Sequence, residues 1–174
     1  LFDSVKHEAR RFVKKSLSQL EPARDFQMAA GIVADVRTRM SQRGKMALIL
    51  LDDGTKQVEV TVFSELFDAS RNKLKVDELL IVEGKVSRDD FRDGIRFVAE
   101  RLMTLADARS EFARYLALSM NGQADAKKLR ALLAPYVPGP CPVRVRYRND
   151  AASCELILGE TSRVRLEEPL LAEF

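Results

Sequence analysis

The residue types best suited to chemistry in this sequence are cations. The stretch RTRMSQRGKM carries Arg37, Arg39, Arg43 and Lys45 and no acid, although acids and bases nearly balance over the whole chain. Guanidinium and ammonium groups gathered in this way neutralise phosphates, and each neutralised phosphate releases condensed counterions. A second set lies in SRDDFRDGIRF, where Arg88, Arg92 and Arg96 accompany Phe91. A ring at a polar hairpin tip can stack on a base for about 1–3 kcal/mol. Against that, Asp89, Asp90 and Asp93 would repel phosphate, and Phe91 could instead fold back onto the protein. A third set, Arg144, Arg146 and Arg148, alternates along PVRVRYR and therefore shares one face of a strand, as a solvated edge or a partner surface.

Other chemistries have little to stand on. His7 is the only histidine and has no Cys, Ser or carboxylate constellation beside it, so it reads as a solvated side chain. Cys141 and Cys154 fall in separate predicted strands without a second Cys or His at ligand spacing, and read as reduced, buried thiols. Asp52-Asp53 precedes Gly54, and Asp89-Asp90 sits at a hairpin tip; both pairs fit turn chemistry better than a metal site. Phe63 and Phe67 are expected in the core, the first closing a strand and the second on the apolar face of a helix. No catalytic residue, metal or cofactor is expected in this stretch of chain.

The elements that must position these groups can be read from periodicity. With 174 residues, 46% hydrophobic and 32% charged, the chain is long enough for one or two packed domains, and its net charge of +3 says little alone. No apolar run approaches the ~18 residues of a membrane span, and the first residues lack a signal-peptide pattern, so a cytoplasmic protein without a membrane partner is expected. Val5, Ala9, Phe12, Val13, Leu17 and Leu20 repeat at helical spacing, predicting an amphipathic helix from Phe2 to Leu20 that Glu21-Pro22 ends. MAAGIVADVRTR, KMALILL and QVEVTVF then read as strands, with the basic segment between the first two and a turn at Asp52-Asp53-Gly54-Thr55. Gly31 stands where a strand entering a small barrel needs a coil or bulge.

SELFDASRNKLK, opened by a Ser64 cap, is a helix, and LLIVEGKV and IRFVAERLM are two more strands. Three strands, a helix and two strands is the plan of a five-stranded OB-fold barrel. Beyond Leu105 the pattern becomes mixed: LADARSEFARYLAL begins as a helix, ADAKKLRALLAPY is a second, PVRVRYR and SCELILG are strands, and RVRLEEPLLAEF runs from strand to helix. The expected organisation is an N-terminal helix and linker over 1–25, an OB-fold domain over 26–104 and a small α/β (α+β) domain over 105–174, cut off at its end.

The order of RGKMALILLDD, VEVTVFSELF, DELLIVEGKVSRDDF and GIRFVAERLMTLADAR resembles the OB domain of the bacterial replicative DNA polymerase III alpha subunit. LFDSVKHEARRF is similar to the segment before that domain, and the C-terminal part to the family's final domain. The resemblance implies a non-catalytic piece of a much larger nucleotidyltransferase, working beside the other domains of the alpha chain. It further implies an OB domain associated with single-stranded DNA template and a final domain that docks the clamp-loader tau subunit. The acidic motif of the palm, the histidine-rich phosphoesterase-like sites and a glutamine-led clamp-binding peptide are absent from this sequence, and LLAEF falls short of where the family chain closes. Two rivals share the barrel: a protein-interaction scaffold that binds no DNA, and a tRNA anticodon-binding domain, in which the C-terminal unit has no place.

Overall fold

The computed structural model describes residues 2–42, 44–91, 93–123 and 125–174. The chain divides into two compact units, Leu1–Leu105 and Ala106–Phe174. The first unit holds helix α1 (Phe2–Phe12) and a closed barrel of β1 (Gln27–Ser41), β2 (Gly44–Asp52), β3 (Gln57–Val62), β4 (Leu79–Arg88) and β5 (Ile95–Met103), in the order β1-β2-β3-β5-β4. Helix α2 (Ser64–Ser70) stands between β3 and β4 and turns Phe67 into the core. This is the OB-fold expected from the strand order. Ser64 is the first residue inside α2, not its cap; Phe63 holds the cap position.

Barrel closure depends on β1 serving two partners. Its first half pairs with β4, from Gln27 opposite Gly84 to Ile32 opposite Leu79, and its second half with β2, from Ile32 opposite Asp52 to Ser41 opposite Gly44. A Cβ at Gly31 would stand 3.1 Å from the Asp52 carbonyl oxygen, so only glycine lets the strand change neighbours there without displacing backbone. A register shift between Val33 and Asp35 adds bend just after the exchange. β3 and β5 run parallel, with Val60 opposite Phe97 and Thr61 opposite Val98, and so close the ring. Inside lie fully buried Val33, Ile49, Leu51, Val60, Val82 and Phe97.

The helix expected over 2–20 ends at Phe12. Leu17 and Leu20, read as its continuation, belong instead to the barrel core, with Leu17 fully buried. A short turn over Leu17–Gln19 brings them in: the Ser16 N–H donates to Gln19 Oε1, and the Leu17 N–H donates to Asp53 Oδ2 at 2.8 Å. One straight helix could not lay Ala9 and Val13 on the outside of the barrel and also place Leu17 within it. The β2–β3 turn itself is as expected. Gly54 has φ +83°, Asp52 accepts from the Gly54 N–H at 2.7 Å, and Asp53 accepts from the Thr55 N–H and hydroxyl.

The second unit is a three-stranded sheet, β6 (Leu116–Asn121), β7 (Val143–Arg148) and β8 (Ser153–Ile157), with helices α3 (Leu105–Phe112), α4 (Ala126–Leu133) and α5 (Glu168–Ala172). β6 was not expected as a strand. It pairs parallel with β7, which requires a long crossover, and α4 lies in that crossover. Leu116, Leu118, Leu133, Val143, Val145 and Leu170 form the core. Arg109, itself buried, donates to Glu168 Oε2 and ties α3 to α5. Cys141 is buried, whereas Cys154, expected to be buried, is exposed on β8. Among the described residues no helix is long and apolar enough to cross a membrane.

Candidate nucleic-acid interface

Strand register decides which of the cations share a surface. Residues opposite one another in a ladder project to the same face, and successive residues alternate. Val33, Ile49, Val60, Val82 and Phe97 define the inside of the barrel, so their strand neighbours point out. One row then crosses all five strands on the outside: Arg37 opposite Leu48, Leu48 opposite Thr61, Thr61 opposite Val98, and Val98 opposite Lys85. At the spacing of adjacent strands the row follows roughly 19 Å of the curved barrel wall. Its middle is half-buried Leu48 and Val98 on either side of the buried Thr61, and each end is a cation. Arg39, opposite Met46, lies on the same face one step along β1, and Arg96, opposite Ser87, one step along β5.

The electrostatics of this face are uneven. Arg37 is held by its neighbour, with Nε 2.7 Å from Asp35 Oδ2, so part of its charge is already answered. Arg39, Lys85 and Arg96 are exposed and have no ion-pair partner among the described residues. Glu59, opposite Leu50, is the acid on the near side of β3. The other half of the barrel exterior is covered: Ala9 and Val13 of the N-terminal segment are buried and share a cavity wall with Ala30 and Leu79.

The basic segment is therefore not one loop rim. Arg37 and Arg39 lie within β1 and Lys45 within β2, as parts of a two-stranded ribbon whose last pair is Ser41 with Gly44. Lys45 is opposite Met40 and so takes the other face, with Nζ 5.8 Å from the Phe67 ring centroid. Arg43 and Arg92 lie outside the described residues. Arg88 ends β4, opposite Ile95 and one step from Arg96, on the alternate face. Phe91 is 97% exposed at the β4–β5 tip, so it does not fold back onto the barrel. Asp89 is spent on the turn: it accepts from the Phe91 N–H at 3.0 Å, while its own N–H donates to the Gly94 carbonyl.

Phe63 corrects the core expectation. It is 42% exposed, and its extended backbone (φ −74°, ψ 165°) continues the alternation of β3, giving it the parity of Thr61. Phe67 is in the core as expected. Lys85, Phe63 and the strip of Leu48, Thr61 and Val98 are the members that sequence reading missed. The alternation of Glu83 and Lys85 against Val82, Gly84 and Val86 was the available signal for Lys85.

In the second unit Arg144, Arg146 and Arg148 do share a face, but β7 is the central strand, not an edge. Arg144 and Arg146 both reach Glu155 across the ladder, at 3.1 and 3.6 Å, and the Arg144 guanidinium lies 3.9 Å from the Tyr115 ring centroid. Arg148 is opposite Ser153 and exposed. Among the described residues no group of three or more His, Cys, Asp or Glu side chains could hold a metal ion.

Two carboxyls are shifted, and both belong to the β2–β3 turn. The hydrogen bond from Gln57, with that from the Gly54 N–H, holds Asp52 below the ordinary carboxylate range. For Asp53 burial pushes upward, but hydrogen bonds from Thr55, Leu17 and Lys56 outweigh it and the net shift is downward. Burial raises the Cys141 thiol above its ordinary value, which keeps it protonated and unreactive.

Comparison with known proteins agrees with this division. Residues 29–105 match the family model of an OB-fold nucleic acid binding domain, and residues 128–174 that of the DNA polymerase III subunit alpha C-terminal domain. The chain is 35% identical over 173 residues to DNA polymerase III subunit alpha of Pseudomonas aeruginosa, covering 97% of this chain and 15% of that protein. It is 39% identical over 161 residues to the subunit of Neisseria meningitidis serogroup A, covering 89% of this chain and 14% of that protein. A solved domain of replication protein A from Methanococcus maripaludis is similar with a TM-score of 0.44 and 17% identity, over 52% of this chain and 93% of that one. The chain spans about 15% of the length of the curated relatives it matches.

Proposed function

The chain belongs to the DNA polymerase III alpha-subunit family, with an OB-fold and a C-terminal-domain region, and from that premise we propose that its barrel holds single-stranded DNA template. The observation that carries this reading is the outer row from Arg37 through Leu48, Thr61 and Val98 to Lys85, flanked by Arg39 and Arg96. The cations meet phosphates, and half-buried Leu48 and Val98 between them accept base or sugar edges. Phe91 and Phe63 offer exposed rings for stacking. Thr61 brings the only hydrogen-bonding side chain to the middle of the row, so the face holds the strand without reading its sequence. Nucleotidyl transfer falls to other domains of the alpha chain. The C-terminal unit, in the same reading, docks the clamp-loader tau subunit, a role supported by its match to the family's C-terminal domain.

The test is fluorescence anisotropy with a labelled ~20-nucleotide single strand across a salt series. The parent is expected to lose log-affinity against log-salt with a slope near −3, roughly that of four neutralised phosphates. Arg39→Ala, Lys85→Ala and Arg96→Ala together should flatten the slope by about 2, while Lys45→Ala, on the other face, should leave it unchanged. Equal binding by the parent and the triple variant, or no binding by either, would refute the groove and favour a protein-interaction scaffold.

A further inference from the structure

The covered half of the barrel exterior carries a cationic cavity that the DNA groove does not use. Between α1, the segment that follows it and the β2–β3 turn lies a cavity of about 390 Å³, within the range of small-ligand sites. Lys6 and Arg10, one helical turn apart on α1, line it, joined by Lys14 and Lys15 beyond the helix end. Lys6 reaches across to the turn: its Nζ is 3.7 Å from where a Cβ at Gly54 would stand. Lys15 is already engaged, 3.3 Å from Gln27 Oε1 and 3.8 Å from Glu21 Oε1. Arg10 and Lys14 have no ion-pair partner among the described residues, and Lys6 has none within ion-pair distance, though its charge acts on the nearby Asp52.

The rest of the lining suits an anion. Ser16 brings a hydroxyl, the Thr55 hydroxyl proton being already given to Asp53, and Ala9 and Val13 form a buried apolar wall. Asp53 is the one acid of the lining, and its oxygens are occupied by the Leu17, Thr55 and Lys56 N–H groups and the Thr55 hydroxyl. Four cations on one cavity lining, three of them exposed, make its potential positive, and an anion bound there would relieve their mutual repulsion. We infer that this cavity is a phosphate site, taking either a phosphate of a nucleic-acid strand or a small free phosphate such as pyrophosphate. It shares no residue with the outer row of the groove, so the site and the groove stand or fall separately.

The experiment is amide NMR of the whole chain titrated with inorganic pyrophosphate, sodium chloride being used to hold ionic strength constant. The expected result is a saturable shift of the amides of residues 6–19 and of Thr55. Lys6→Ala, Arg10→Ala and Lys14→Ala together should raise the dissociation constant at least tenfold, with the barrel resonances otherwise in place. The Arg39, Lys85 and Arg96 variant should bind pyrophosphate as the parent does. A ~20-nucleotide single strand added to the loaded protein distinguishes the sources: displacement identifies a strand phosphate, and coexistence a small free phosphate. Shifts reproduced by sodium chloride alone, or a triple variant that binds as the parent does, would overturn the site.

Discussion

The barrel and the C-terminal unit each carry arginines at alternate positions of a strand, yet the two rows end differently. On β1, Arg39 projects over Met46 and meets no acid among the described residues. On β7, Arg144 and Arg146 face β8, where Glu155 answers both, and Tyr115 covers one guanidinium. The sequence signal is the same in both places. What differs is whether the neighbouring strand brings a carboxylate within reach: β2 offers Leu48 and Met46, whereas β8 offers Glu155, opposite Arg146 and diagonal to Arg144. An arginine row is thus available to a ligand only when the neighbouring strand leaves it uncompensated.

The comparison can be broken most directly at the groove. The combined Arg39, Lys85 and Arg96 alanine variant should lose more than about tenfold in single-strand affinity at low salt, about 1.4 kcal/mol or more. Alanine at Arg144, Arg146 and Arg148 should change it less than about twofold, by the same anisotropy measurement. If the second variant matches the first in its loss, the contrast between the two rows is wrong.

A second difference concerns acid. Asp53 has a folded-state carboxyl held below its ordinary range, so the stability it contributes is complete above that range and fades as pH falls through the lowered value. Stability of the barrel to urea should therefore weaken below about pH 4, and Asp53→Ala should reduce that acid sensitivity to the part that Asp52 contributes, while costing about 1–3 kcal/mol at neutral pH, because the Leu17 N–H loses its acceptor. Undiminished acid sensitivity in the variant would mean that Asp53 is not its source.

The smallest expected effects sharpen the comparison by moving one acid. Asp35→Asn frees Arg37, which already counts among the four phosphate contacts, and should tighten single-strand binding about twofold to threefold with little change of salt slope. Glu155→Gln frees two arginines on β7 and should give the second unit a salt-dependent affinity it lacked, small beside that of the groove. No gain from either change would mean that release from an ion pair is not what limits these arginines.

Local signals carried the barrel far into view. The alternation of Val58, Val60 and Val62 against Glu59, the Asp-Gly turn and the helical spacing of Leu66 and Phe67 are contained in neighbouring residues; strand and turn formed where expected, and the helix began there but ended at Ser70, short of Leu74. Elements whose existence depends on distant partners were harder to read. Leu116 and Leu118 alternate for only six residues beside a helix, and they become a strand because β7, past a crossover, accepts them. Leu17 continues a helical spacing but is claimed by the barrel core. The site was legible in part. Arg37, Arg39 and Arg96 are on the open face as strand alternation allows, but the junction of Thr61 with Val98 is a parallel pairing across an intervening helix and hairpin. That pairing, invisible in periodicity, is what joins Lys85 to the row. Phe63 was misassigned because a residue at the end of a strand keeps the strand's parity even when the chain is about to turn into a helix.

The turn that carries Leu17 and Leu20 into the barrel bears on where this domain can be cut. A recombinant piece that began at Phe26, just ahead of the first strand, would keep every strand of the barrel and still lack two of its core side chains, besides taking from Asp53 the Leu17 N–H, one of its donors. The folding unit starts upstream of the sheet, and dissection guided by strand boundaries alone would yield a barrel with an open end.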